Sequence, residues 1–325
     1  MQFSPAAALW DNREALAKAM PEIAAVRAAL ETATGGPRDF IRQQWLQLAS
    51  VVYDFKPDLI IELGRGYGNS TSAMAMAMKM LRPQPCRLLS LCLATSFNEI
   101  SRPHLDATLP DKSLFASVEA LNEDIARFDF SSHVEKARRV FVFWDAHGYD
   151  LAMNLLARLF PALAEKAHLV LVHDMADLKY LGAEHRRYDG APWKGTGSAP
   201  AKYILGDVGC QYEEGVALVD FLGRNGLPFR SAESSYFSEL TAQQVAEIDQ
   251  RFGSDFSRLG FWYYFSLNEA AGRSLTFPSL PAEPAVTAPP ATASAQPILI
   301  GSNQVRPRKK KKKKPSILRR MLARL

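Results

Sequence analysis

Apolar residues along this chain fall into two patterns that alternate. Continuous apolar runs, Leu59-Ile60-Ile61, Arg87–Leu93, Arg139–Trp144 and His168–Val172, predict strands buried on both faces. Helical spacing fills the intervals: Phe40, Ile41, Trp45, Leu48 and Val52 before the first strand, Ala73–Leu81 after it, and Leu151, Leu155, Leu156, Leu159, Phe160 and Leu163 between the fourth and fifth strands. Val118–Ile125 reads as a third strand, Val216–Asn225 as a helix, and Leu227–Ala232 and Gly260–Leu267 as two late strands. Strands that alternate with helices predict an α/β fold, a doubly wound, mostly parallel seven-stranded sheet. Residues 1–36 are alanine-rich and helical in pattern, and predict an N-terminal helical hairpin broken at Pro21.

The ends of the strands carry the chemistry. The first runs into Glu62-Leu63-Gly64-Arg65-Gly66-Tyr67-Gly68-Asn69, where three glycines let the backbone turn tightly against a ligand. Ser70-Thr71-Ser72 is placed to cap the helix that follows. Strand, glycine loop and helix form the nucleotide cradle of open α/β sheets, although a glycine turn without ligand has the same pattern. A dinucleotide fingerprint needs glycine at the sixth position, where this chain has Asn69, and no P-loop is present.

The remaining pattern, acid-x-Gly-x-Gly-x-Gly, resembles the first motif of class I S-adenosylmethionine-dependent methyltransferases. The resemblance covers roughly residues 40–268 and implies a Rossmann-like fold that binds S-adenosylmethionine through Glu62, Gly64, Gly66, Gly68 and Asn69. In that family an acid at the end of the second strand grips the ribose. Here Cys92 stands there, so Ser90 or the following loop would have to substitute. Asp124 falls where family members contact the adenine edge, or else it caps a helix.

Trp144-Asp145-Ala146-His147-Gly148 and Val172-His173-Asp174-Met175 end the fourth and fifth strands, so both clusters point at one rim. They are similar to the subgroup of small-molecule O-methyltransferases and cephalosporin hydroxylase-like proteins. The donor is an activated methyl, so the protein must align the acceptor and deprotonate its hydroxyl. His147 is the candidate base, because imidazoles titrate near neutral pH, with Asp145 beside it. Asp145 and Asp174 could hold Mg2+, as in the catechol-type enzymes. The amide that completes the catechol pattern is replaced by Met175, leaving its place to His173 or a substrate oxygen. Alternatively both acids are strand-end helix caps.

The stretch Tyr180–Glu214 is long for a connection inside one domain. Arg186, Arg187, Tyr188, Trp193 and Lys194 would suit a lid over the acceptor, and a variable surface insertion is the other reading. The three cysteines, Cys86, Cys92 and Cys210, have no metal spacing and suit a reducing cytoplasm. No signal peptide or membrane-spanning run is read from the sequence.

Net charge is +5, but residues 306–325 hold eleven Lys or Arg and no acid, so residues 1–305 carry +5 less 11, or −6. An acidic body argues against a nucleic-acid groove on it. Residues 273–305, rich in Pro, Ala and Thr, predict a disordered linker between the domain at 37–272 and a polybasic tail. In the tail, Lys309–Lys314 precede a segment with Ile317, Leu318, Met321, Leu322 and Leu325 on one helical face. That combination suits an anionic membrane surface, with nucleic acid or a solvated tail as the alternatives. The expected function is methylation of a small-molecule or glycan-like acceptor by a peripheral cytoplasmic enzyme. A non-catalytic methyltransferase-like module is the second reading, supported by Cys92, and a hydroxylase-like branch the third. Base methylation is disfavoured, because its Asn-Pro-Pro-aromatic motif is missing.

Overall fold

A computed structural model describes residues 3–36, 40–173, 215, 217–253, 262–270 and 272–280. These belong to one unit, Met1–Leu280. The predicted lid segment 180–214, Asp174, Met175, Cys210 and the tail lie outside the described residues.

The strands are β1 (Leu59–Leu63), β2 (Arg87–Leu91), β3 (Val118–Leu121), β4 (Arg139–Trp144), β5 (Ala167–His173), β6 (Arg230–Ser231) and β7 (Trp262–Phe265). They form one seven-stranded sheet in the order β3-β2-β1-β4-β5-β7-β6. β1 to β5 pair in parallel, whereas β7 runs antiparallel to β5 and β6.

Alternation along each strand feeds two cores, which is why the strands read as continuous apolar runs. Ile60, Leu88, Phe141, Phe143, Leu169 and Leu171 pack with the N-terminal helices α1 (Pro5–Asp11), α2 (Arg13–Thr34) and α3 (Arg42–Phe55), and with α4 (Asn69–Met80). The same core takes in a π-helical turn (Phe97–Ser101) and α5 (Arg102–Thr108). Ile61, Leu63, Leu89, Val140, Val142 and Trp144 pack on the other side with α6 (Ser131–Glu135), α7 (Tyr149–Ala164) and the helix α8 at 217–224. Helices α9 (Ala232–Glu239) and α10 (Ala242–Phe252) complete the first side through Tyr236, Ile248 and Phe252.

Several sequence expectations change. α2 runs straight through Pro21, since Leu16, Ile23, Val26 and Leu30 are buried on both sides of it and this packing outweighs the lost backbone hydrogen bond. The break falls at Asn12, whose Nδ2 donates to Ala8 O at 2.8 Å and to Asp54 Oδ1 at 3.0 Å. β3 stops at Leu121 instead of reaching Ile125, and β6 has two residues where six were expected. Past residue 273 the chain still packs on the body: Phe277 stacks on Phe221 at 5.7 Å between centroids, and Asn225 Oδ1 accepts from Thr276 N at 2.7 Å. The first residues of the predicted linker, Thr276 and Phe277 among them, thus pack on the body.

Candidate active site at the carboxyl ends of β1 and β4

β1 has β2 on one side and β4 on the other, so the chain reverses its winding direction there and leaves a crevice beyond the strand ends. Backbone hydrogen bonds tie the three ends together. Gly64 N donates to Leu91 O at 2.9 Å, and Asp145 N donates to Leu63 O at 2.7 Å. The glycine loop and Asp145, far apart in sequence, are thereby in contact.

The three glycines differ in what surrounds them. A Cβ on Gly64 would lie 2.1 Å from Asp145 O, and one on Gly68 would lie 2.1 Å from the Phe97 ring. Gly66 is exposed, with φ of +51° and nothing within 4 Å of its would-be Cβ. Gly64 and Gly68 thus pack the loop down, while Gly66 leaves its backbone open to solvent. Asn69 follows as the first residue of α4, with Gly68 as N-cap.

Ser70 and Thr71 do not cap that helix. Their hydroxyls donate to Glu62, from Ser70 Oγ at 2.5 Å and Thr71 Oγ1 at 2.7 Å, and Ser90 Oγ donates to Glu62 as well. Parallel register places Glu62 beside Ser90 on the same face, which explains the third bond. Glu62 has no exposed surface, and burial raises its pKa above the usual carboxylate value against the opposing pull of these hydroxyls and Arg65. It braces the loop from beneath, joining β1, β2 and α4.

Arg65, which the sequence did not single out, is buried across the ends of β2 and β3. Its Nη1 donates to Ser90 O at 2.8 Å and to Leu121 O at 3.3 Å. Burial lowers its pKa, and the Glu62 charge opposes that shift. Ser90 is fully buried and its hydroxyl is spent on Glu62 and Arg65, so it cannot face a ribose in place of the missing acid. Cys92 sits one residue past β2, partly exposed, its backbone N–H bonded to Leu121 O at 3.2 Å. Asp124 lies in a turn beyond β3, where its carboxylate accepts from Ala126 N at 3.0 Å and stands 3.6 Å from Arg127 Nε. It caps a turn, neither ending a strand nor capping a helix.

At the end of β4, Asp145 is not a helix cap either: Gly148 is the N-cap of α7. Asp145 Oδ1 accepts from His173 Nδ1 at 3.0 Å, and His173 Nε2 lies 2.8 Å from Gln44 Nε2. Gln44 Oε1 already accepts from Ile41 N at 2.7 Å, so the Gln44 amide must donate to His173. That assigns the proton of a neutral His173 to Nδ1, facing Asp145. The ring is buried among Phe40, Phe143 and Trp262, with centroids 5.2, 6.0 and 5.0 Å away. Both His173 nitrogens are therefore engaged, and the ring orients Asp145. Gln44 was hidden in the sequence because its partner is 129 residues away. His147 follows Asp145 at the rim, half-buried, immediately before Gly148.

Among the described residues no group of three or more His, Cys, Asp and Glu side chains could hold a metal ion. No described helix is long and apolar enough to cross a membrane.

No protein-family profile matches the chain, and neither does any curated protein. Solved structures similar to it include the S-adenosylhomocysteine-bound methyltransferase PaMTH1 of Podospora anserina, at 16% identity over 64% of this chain and 82% of that one, TM-score 0.44. Another is the O-methyltransferase TomG of Streptomyces achromogenes, involved in tomaymycin synthesis and solved with S-adenosylmethionine, at 18% identity over 67% and 82%, TM-score 0.39. A third is an O-methyltransferase of Bacillus cereus in complex with S-adenosylhomocysteine, at 17% identity over 66% and 83%, TM-score 0.37. The strand order, with β7 antiparallel and a glycine loop after β1, is that of the class I methyltransferase fold.

Proposed function

We propose that this chain is an S-adenosylmethionine-dependent methyltransferase acting on a hydroxyl of a small molecule or glycan-like acceptor. The observation that carries the proposal is the loop at the switch point, where Gly64 and Gly68 have no room for a side chain and Gly66 offers open backbone. Such a cradle fits S-adenosylmethionine, which when bound would supply an electrophilic methyl group. Gly66 and Asn69 would lie against it, with Glu62 holding the loop from below. Asp124 would approach the adenine end.

His147 would take the proton from the acceptor hydroxyl, with Asp145 held beside it through His173 and Gln44. Mg2+ on Asp145 and Asp174 belongs to the same proposal as its second form, but the described donors do not complete such a site, so no step here passes through it. Asp145→Asn is expected to lower kcat by about 100-fold and to leave cofactor affinity within about threefold, as read by methyl-transfer kinetics beside calorimetry. Equal losses in both would place Asp145 in the cofactor site instead. Turnover lost to a chelator and restored by magnesium would assign the acids to the metal.

Cys92 and the consumed Ser90 hydroxyl favour the second reading, a non-catalytic module. Calorimetry with S-adenosylmethionine separates the two: no binding at millimolar ligand supports the module and rejects the enzyme.

The polybasic segment 306–325 is assigned, in the same reading, to an anionic membrane surface. Removing it should leave cofactor binding intact and abolish salt-sensitive sedimentation with anionic vesicles. Equal sedimentation of both chains would reject the anchor, and salt-sensitive binding to duplex DNA without vesicle binding would favour nucleic acid.

A further inference from the structure

Asp58 precedes β1, Arg87 opens β2 and Arg138 precedes β4, so these residues share the amino-terminal rim of the sheet, opposite the glycine loop. A cleft of about 650 Å³ opens there, its charged lining being Asp58, Lys79, Arg82, Arg87, Lys136 and Arg138. Five cations and one acid are out of keeping with a body, residues 1–305, whose net charge is −6 by the count above.

The nearby acids account for only part of this charge. Lys79 pairs with Glu22, and with Asp111 at 2.8 Å; Arg82 comes within 3.9 Å of the same Asp111. Asp58 accepts from the backbone N–H groups of Arg138 at 3.0 Å and Arg139 at 2.9 Å, and meets Arg138 Nε at 3.4 Å. Arg87 donates to His133 O at 2.8 Å and faces His133 Nδ1 at 3.2 Å. Among the described residues neither Arg87 nor Lys136 has a carboxylate partner. Arg138, 91% exposed, lines the cleft with its guanidinium beside Asp58, so most of its donors still face solvent.

We propose that this cleft is a binding site for a small ligand bearing a diphosphate group, separate from the methyl-transfer site. The volume is that of a small-molecule pocket, and guanidinium forks match phosphate oxygens two at a time. Among the described residues no aromatic side chain lines the cleft, so these offer no platform for stacking a base, and recognition rests on the phosphates.

The test is calorimetry of the full-length chain with inorganic pyrophosphate, comparing the wild type with Lys136→Glu and Arg87→Ala. The basic tail is common to all three chains and cancels in the comparison. Lys136 is exposed and has no carboxylate partner among the described residues, so its replacement should leave the melting temperature unchanged. The wild type should bind one equivalent of pyrophosphate, and each variant should bind it at least about tenfold more weakly, as expected for a lost charge-assisted contact. Coincident isotherms would assign the attraction to the tail and overturn the site, as would no binding at millimolar ligand. ADP should bind no more than about tenfold tighter than pyrophosphate; a larger gain would mean that the base is read and would overturn recognition by phosphate alone.

Discussion

Glu62→Ala is expected to destabilise the fold by about 2–5 kcal/mol, the scale for leaving several buried hydrogen-bonding groups without their partner. The substitution leaves Ser70, Thr71 and Ser90 hydroxyls without their acceptor, and leaves the Arg65 guanidinium buried without its opposing charge. Denaturant unfolding measures the loss, and a change below about 1 kcal/mol would show that the brace is dispensable. Glu62→Gln adds a test of sign. Burial raises the folded-state pKa above the ordinary 4.5, so the native protein holds the proton more tightly than the unfolded chain. This contribution to stability is therefore full below the ordinary value and is lost as pH rises through the raised one. Glutamine does not titrate. Between about pH 4 and about pH 8 the stability difference should consequently move in favour of Glu62→Gln. Movement the other way would mean that the three hydroxyls and Arg65 outweigh burial.

Gly66→Val should abolish measurable S-adenosylmethionine binding, about a 100-fold loss or more, while the chain stays folded. Its Cβ would meet nothing within 4 Å, so the strain is confined to a left-handed φ of +51°, about 1–2 kcal/mol. The added branches would cover the open backbone that the proposed cofactor has to approach. Gly64→Ala makes the contrast: its Cβ would lie 2.1 Å from Asp145 O, so the ends of β1 and β4 would have to separate, and stability would fall together with binding. Calorimetry beside thermal melts distinguishes the two losses. Unchanged affinity in Gly66→Val would make the loop a structural turn and remove the support for a cofactor there.

How far the sequence alone reached can be seen strand by strand. The span Arg139–Trp144 is legible in the sequence to the residue because a central parallel strand is covered on both faces and must be apolar throughout. The edges were harder. β3 ends four residues early and β6 shrinks to two, since an edge strand is paired on one side only and its length depends on what lies beside it. α2 through Pro21 shows the same dependence, as packing of the flanking residues overrides local propensity.

The sequence by itself determined the order of strands and helices, the glycine loop with its acid, and the placing of Asp145 and His147 at a strand's carboxyl end. All of these rest on local periodicity and on residue types that only certain backbone conformations accept. Tertiary structure alone decided what the polar side chains do. It turned Ser70 and Thr71 from caps into donors to Glu62, laid Arg65 over the ends of β2 and β3, and set Gln44 against His173 to orient Asp145. A hydroxyl, amide or imidazole can satisfy its hydrogen bonds with many partners, and its neighbours in sequence do not choose among them. The choice falls to whichever group the packing of the apolar faces brings within reach once water is excluded.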